Sequence, residues 1–177
     1  FKPYLQRSYP ELNLGANILG FVSHEGQGYF GVEERFNDQL AGEQRQVWIS
    51  LDPNRVEERP EVPDGVGLIL TIDRDIQAEV EKILDKALAE SGAEAATILV
   101  MNPRDGDILA MATTPRLDLN EFWEFEELFQ DETPFNRAVS KAYEPGSVFK
   151  VMTMAAALDS GAVKPDTVFL DTGSGGS

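Results

Sequence analysis

The sequence predicts an α+β fold in which a loop-rich first part is followed by a helix and an antiparallel hairpin. Three observations indicate this fold class. Residues 1–65 are rich in Gly, Pro, Asn and charge, with short apolar pieces between turn-forming residues. Residues 74–90 place their apolar side chains on one face of a helix. Residues 97–112 contain two apolar runs separated by the turn sequence NPRDG, which is typical of an antiparallel hairpin.

Composition excludes several classes of protein. The 177 residues are 42% hydrophobic and 26% charged, which suits a globular chain with a core. Cysteine is absent, so disulfide and thiolate chemistry are excluded, and the single histidine, His24, leaves little for a metal site. We expect His24 to be a surface residue in a loop. The net charge of −16 repels phosphate backbones, so we expect no nucleic-acid partner.

The first part is expected to end at the segment 59–65. Two prolines, which lack N–H groups, and a final glycine mark a break between modules there. We therefore expect a first module over 1–65, a second over 66–172, and a Gly/Ser linker or tail over 173–177. The second module opens with the mostly apolar run 66–72, which we interpret as a strand.

A helix over 74–90 follows this run. Asp73 is a good N-cap, because its carboxylate can accept hydrogen bonds from the first turn. Gly92 fits the C-terminal cap, where a left-handed backbone is common. The apolar residues form one stripe at helical spacing: Ile76, Val80, Ile83, Leu84, Ala87 and Leu88.

The hairpin and an acidic segment come next. We expect strands over 97–101 and 107–112, joined by a turn in which Gly106 tolerates a positive φ. Residues 118–132 then carry seven carboxylates and no basic residue, interleaved with aromatic side chains. Since no loop pattern for calcium is present, we interpret this segment as a surface helix with a solvated acidic face.

The segment 147–160 carries the candidate chemistry. It is apolar on nearly every side of a helix and follows the break EPG, so we expect a helix buried in a core. Ser147 and Lys150 lie three residues apart and project from the same face of its first turn. A capping role explains Ser147, but Lys150 is poorly placed for structure alone, because a cation there meets the positive end of the helix dipole.

Desolvation and the helix dipole both favour the neutral amine of Lys150. Lys150 could then accept the proton of Ser147, while N–H groups at the helix end stabilise a developing oxyanion. The sequence therefore predicts serine acylation at Ser147, with helix capping by Ser147 as the alternative. An S-x-x-K match by itself occurs easily by chance. What favours function here is the position of the match at the start of an apolar helix.

Further motifs extend this pattern into a family resemblance. The segment YEPGSVFK (143–150), with NRAV before it, is similar to the active-site segment of the class B penicillin-binding proteins. Other motifs resemble the opening of their transpeptidase domain and, upstream, their stem or pedestal module. These motifs are LTID (70–73), MNP (101–103), GDILAMA (106–112), RSYP (7–10), ILGF (18–21), GYFGVE (28–33) and LAG (40–42).

The resemblance implies a serine-type peptidoglycan D,D-transpeptidase at the extracytoplasmic face of the bacterial cell membrane, anchored by an N-terminal helix. Such an enzyme attacks the D-Ala-D-Ala end of a peptidoglycan stem peptide, forms an acyl-enzyme and cross-links it to a neighbouring amine. Penicillins and other β-lactams acylate the same serine. By resemblance, Ser147 is the nucleophile, Lys150 its base, and the backbone N–H of Ser147 one half of the oxyanion hole. No cofactor or metal is implied.

The sequence also departs from the family pattern. The motifs Ser-x-Asn (or Tyr-x-Asn) and Lys-Thr-Gly (or Lys-Ser-Gly), which complete the family's site, occur nowhere in it. We therefore expect a fragment with part of the pedestal module and the first part of the transpeptidase domain, inactive alone and able to oligomerise through exposed core.

Two other functions also fit parts of the sequence. One is a non-catalytic pedestal or scaffold module that binds a partner in cell-wall synthesis, such as a polymerase. The other is a penicillin sensor or serine β-lactamase, against which the pedestal-like motifs in 7–42 weigh.

Overall fold

The computed structural model describes residues 7–42, 64–130 and 133–170. The chain divides into two compact units, residues 1–141 and residues 142–177. Most of the module break expected at 59–65, and all of the tail expected at 173–177, lie outside the described residues, so both stay predictions.

The first unit mixes short helices with two small antiparallel sheets, which confirms the α+β prediction. Its strands are β1 (Phe21–Val22), β2 (Gly28–Tyr29), β3 (Thr97–Met101) and β4 (Ile108–Thr113). Its helices are α1 (Ala16–Leu19), α2 (Gly31–Arg35), α3 (Asn37–Leu40), α4 (Arg74–Ser91), α5 (Phe125–Leu128) and α6 (Arg137–Ser140), with a 3₁₀ helix over Leu119–Glu124.

The long helix α4 forms where the sequence predicted it. The Asp73 carboxylate accepts hydrogen bonds from the backbone N–H groups of Asp75 and Ile76, both at 3.0 Å. Gly92 closes the helix with φ 68°, a left-handed conformation that glycine adopts without a Cβ clash. Both ends of the helix are therefore set by residues adjacent to it in the sequence.

The predicted hairpin is also confirmed. Strands β3 and β4 pair antiparallel, with Thr97 opposite Thr113 and an irregularity between Val100 and Met101. Helix α4 packs on one face of this hairpin, where Val80 and Leu84 meet two small alanines of β4. The core of this part is thus a helix laid on a two-stranded sheet.

The prediction of a strand over 66–72 is wrong, because no strand forms there. The described residues there run without a strand ladder and make isolated hydrogen bonds instead. The N–H of Val66 donates to Gln39 O at 2.8 Å, and the hydroxyl of Thr71 donates to Ile108 O at 2.7 Å. Ile69 is fully exposed, so the apolar run does not line a sheet face as a strand would.

An aromatic cluster forms the second core of the first unit. Buried Phe21, Phe129 and Phe135 join the buried side chains of Leu117 and Leu119. The acidic segment is therefore anchored by its aromatic residues rather than lying wholly on the surface. Its glutamates at 121, 124, 126 and 127 are exposed, as expected for a solvated face, and residues 131 and 132 lie outside the described residues.

The second unit contains a 3₁₀ helix over Gly146–Phe149 that leads directly into α7 (Lys150–Asp159). Within the described part of the chain, no helix has the length and apolar character needed to cross a membrane.

Candidate active site

The turn that carries Ser147 begins one residue after Pro145. Gly146 has φ 54°, a conformation that a residue with a Cβ rarely adopts, so the Pro-Gly pair sets the entry to the helix. Ser147 is the second residue of the 3₁₀ turn, and the backbone N–H of Lys150 donates to Ser147 O. Ser147 therefore lies inside the helix rather than at its N-cap, which is Pro145.

The Ser147 side chain does not act as a cap. The 3₁₀ helix has no side-chain cap hydrogen bond, and within the described residues the Ser147 hydroxyl makes no hydrogen bond. Lys150 follows three residues later, on the same side of the turn, as the first residue of α7. Both residues are exposed, so the hydroxyl and the amine are accessible to a substrate.

The helix expected to be buried in a domain core is exposed in the described structure, which agrees with the exposed core expected of a fragment. None of the residues of α7 is buried, and Val151 is 70% and Met152 63% exposed. An apolar helix is buried only where other elements pack on its faces. Within residues 142–170 the chain turns back on it at one point, where the N–H of Val163 donates to Ala157 O at 3.3 Å.

Lys150 is exposed at the start of α7. This position lies next to the positive end of the helix dipole, as the sequence predicted. That the amine of Lys150 is neutral stays a prediction.

A buried polar network in the first unit was missed by the sequence analysis. The Gln77 amide pairs with both backbone groups of Met111, accepting from its N–H at 2.8 Å and donating to its carbonyl at 3.0 Å. Gln77 also donates to Glu81 at 2.7 Å, and Glu81 accepts the N–H of Gly15 at 2.8 Å. The sequence signal for this network was that two polar residues, Gln77 and Glu81, lie four positions apart on the otherwise apolar face of α4.

The charge of Glu81 is matched by a buried arginine. Arg116 Nε lies 3.4 Å from a Glu81 oxygen, and Arg116 Nη2 lies 2.5 Å from Asp85. The side chains of Arg116 and Glu81 are 9% and 7% exposed, whereas that of Asp85 is 55% exposed. The network therefore ties α4, the chain after β4 and the N-terminal segment 7–42 together.

Two further contacts link the N-terminal segment to the rest of the first unit. Arg74 donates from Nε to Glu11 at 2.6 Å, and this carboxylate raises the pKa of Arg74 above its usual value. The backbone N–H and carbonyl of Tyr9 bind the Asn120 side chain at 2.9 and 2.8 Å. Burial raises the pKa of the Tyr9 phenol, whose oxygen accepts the N–H of Val22.

His24 lies in the turn between β1 and β2 and is exposed, as predicted. Its ring makes an edge contact with Phe122 at a centroid distance of 5.0 Å. It lines a cavity of about 30 Å³ beside Tyr9 and Asn120, room for roughly one water molecule. Among the described residues there is no group of three or more His, Asp or Glu side chains that could hold a metal ion.

Comparison with known proteins places Ser147 and Lys150 inside a matched domain. Residues 96–175 match the penicillin binding protein transpeptidase domain. This segment of the chain is therefore part of a penicillin binding protein transpeptidase domain. This confirms the resemblance inferred from the motifs.

Named relatives agree with the penicillin-binding protein assignment. The chain is 36% identical over 171 residues to the probable peptidoglycan D,D-transpeptidase PenA of Neisseria gonorrhoeae, covering 91% of this chain and 28% of PenA. It is 33% identical over 161 residues to stage V sporulation protein D of Bacillus subtilis, covering 86% of this chain and 24% of that protein. The chain therefore spans about a quarter of the length of these relatives.

Solved penicillin-binding proteins share its fold. Penicillin binding protein 3 from Mycobacterium tuberculosis, complexed with ampicillin, matches with a TM-score of 0.75 and 30% identity. The match covers 93% of this chain and 33% of that one. A further crystal structure, of a putative peptidoglycan glycosyltransferase from Atopobium parvulum, matches with a TM-score of 0.71 and 34% identity.

Proposed function

We propose that this chain is part of a peptidoglycan D,D-transpeptidase that works through a serine acyl-enzyme, with Ser147 as nucleophile and Lys150 as base. The observation that carries the proposal is the position of this pair. Both residues lie in the segment that matches the transpeptidase domain, on one side of the turn that opens α7. Relatives named as D,D-transpeptidases support the reaction class.

In the proposed reaction, Ser147 Oγ attacks the carbonyl carbon of the bond between the two D-Ala residues of a stem peptide. The hydroxyl proton passes to the neutral amine of Lys150, and the backbone N–H of Ser147 donates to the oxyanion. The C–N bond then breaks, and the departing D-Ala amine takes that proton. The amine of a neighbouring stem peptide attacks the ester, losing its proton as Ser147 regains one, so that a cross-link forms.

The same chemistry accounts for reaction with penicillins. Ser147 would open the β-lactam amide, and the leaving nitrogen would stay attached to the acyl group. The complexes of M. tuberculosis penicillin binding protein 3 with ampicillin and with aztreonam support β-lactams as ligands of the family. Among the described residues no group binds the Ser147 hydroxyl, and this supports its role as nucleophile, because a capping serine would already be engaged.

We further propose that the 177-residue chain is inactive alone. Its sequence contains neither Ser-x-Asn nor Lys-Thr-Gly, so the remaining donors of the site are not supplied by it. Elements that cover α7 in the full-length protein would complete the site. Because the substrate is the cell wall, we place the full-length protein at the extracytoplasmic face of the membrane, held by an anchor.

A labelling experiment tests the proposed function. The full-length protein that contains this chain is incubated with a fluorescent penicillin, and covalent label is measured after denaturation. We expect label on the wild type, none on Ser147→Ala, and wild-type labelling of Ser160→Ala, a control serine at the end of α7 whose hydroxyl donates to Ala157 O. Equal labelling of Ser147→Ala would overturn the assignment of the nucleophile.

A further inference from the structure

We propose that Asn17 is a positioning residue for acylation of Ser147, because it anchors the chain segment that leads into the Ser147 turn. The inference rests on the proposed function. Asn17 belongs to α1 in the N-terminal segment 7–42 and is only 3% exposed. It acts through the residues to which it is hydrogen-bonded.

Asn17 uses both hydrogens of its side-chain amide on distant backbone groups. One bond goes to the carbonyl of Phe135, and the other to the carbonyl of Pro115 at 2.9 Å. In return, the Asn136 side chain donates to the carbonyl of Asn17 at 3.0 Å. These partners are 98 to 119 residues away in the sequence, so the contacts tie two remote parts of the chain together.

The residues held by Asn17 also define where α6 begins. The Asn136 side chain accepts the N–H of Ala138 at 3.0 Å, which caps the first turn of α6. Arg137 Nε donates to the carbonyl of Thr114 at 2.9 Å, in the same stretch that Asn17 binds through Pro115. Side-chain hydrogen bonds of Asn17, Asn136 and Arg137 therefore hold the start of α6.

Helix α6 ends at Ser140, seven residues before Ser147. A shift at the start of α6 would enter the six residues that connect Ser140 to Ser147. Loss of the Asn17 side chain removes the donors of two carbonyl groups and leaves the start of α6 held by fewer contacts. Acyl transfer is sensitive to displacements of about 1 Å, which can cost roughly a hundredfold in rate.

The chain offers a matched control in Asn120. Its side chain also makes two hydrogen bonds between the N-terminal segment and a distant stretch, both with the backbone of Tyr9. It binds at the 3₁₀ helix Leu119–Glu124 rather than at the entry to α6. Asn17→Ala and Asn120→Ala therefore remove the same number of side-chain bonds to the backbone, at different places.

Two measurements test the inference. In the full-length protein, the maximal acylation rate constant and the apparent dissociation constant for benzylpenicillin are measured separately, at matched folded fractions. We expect Asn17→Ala to lower the maximal rate about 10-fold to 100-fold with little change in the dissociation constant. Asn17→Ser, which keeps one donor, should lower the maximal rate less than Asn17→Ala does. The maximal rate of Asn120→Ala should stay within about twofold of the wild-type rate. In the 177-residue chain, hydrogen exchange of residues 137–141 should accelerate in Asn17→Ala only.

The outcomes separate this inference from the proposed function. Equal acylation rates for Asn17→Ala and Asn120→Ala, or unchanged exchange at α6, would overturn the positioning role while leaving Ser147 as nucleophile. A wild-type protein that is not acylated would overturn the proposed function and the positioning role with it. Faster exchange in Asn17→Ala would then identify a structural anchor alone.

Discussion

Replacing Glu81 by Ala should destabilise the first unit by about 4 kcal/mol, because removal of one partner from a buried ion pair costs about 3 to 5 kcal/mol. The Glu81 carboxylate faces Arg116 Nε at 3.4 Å, with both side chains less than a tenth exposed. It also accepts hydrogen bonds from Gly15 and Gln77, whose donors would be left without it. Asp85 still neutralises part of the guanidinium charge, so we expect a loss inside this range rather than above it.

Asp85 provides the matched control for this prediction, since it binds the same guanidinium at 2.5 Å but is 55% exposed. Solvent screens this contact, so Asp85→Ala should cost about 1 kcal/mol or less. The free energy of unfolding of the wild type and both variants is measured by urea denaturation, followed by far-UV circular dichroism. Equal losses for Glu81→Ala and Asp85→Ala, or a loss below about 1 kcal/mol for Glu81→Ala, would refute the argument that burial sets the value of the pair.

Three further predictions concern the same unit. Leu84→Ala should cost about 2 to 5 kcal/mol in urea denaturation, whereas Ile83→Ala, at a half-exposed site, should cost clearly less; equal losses would contradict the packing of α4. Asp73→Ala should cost about 1 kcal/mol in the same assay, because two N–H groups of α4 lose their acceptor, and an unchanged midpoint would argue against the cap. Since burial raises the pKa of Tyr9, its contribution to stability is fully present below the unfolded value of 10.0 and is lost as pH rises through the folded value. Tyr9→Phe should therefore weaken the alkaline loss of stability in a pH series of urea titrations, whereas Tyr143→Phe, at an exposed site, should not.

Elements whose determinants lie close together in the sequence were predicted well. Helix α4 begins and ends at Asp73 and Gly92 because both caps are immediate neighbours of the helix. The hairpin of β3 and β4 forms around a six-residue connection with Gly106 at φ 85°. The family motifs within 96–175 were equally local, and the match to the transpeptidase domain confirmed the resemblance they carry.

Features that depend on distant partners were not predicted. Glu81 is buried because Gly15 and Arg116 supply its partners, and no residue near it in the sequence indicates these contacts. Residues 66–72 carry strand-like residues, yet isolated bonds from other segments take the place of a ladder. The apolar sequence of α7 likewise shows that the helix can be buried but not what packs against it.

The role of Ser147 is tested most directly by locating the acyl group after reaction of the full-length protein with benzylpenicillin. Trypsin cleaves after Lys141 and Lys150, so it releases the peptide AYEPGSVFK (142–150), in which Ser147 is the sole serine. Fragmentation in a mass spectrometer then identifies the modified residue. We predict one penicilloyl group on Ser147 and no modification of this peptide in Ser147→Ala. A penicilloyl group on any other residue of an acylated wild-type protein would contradict the account.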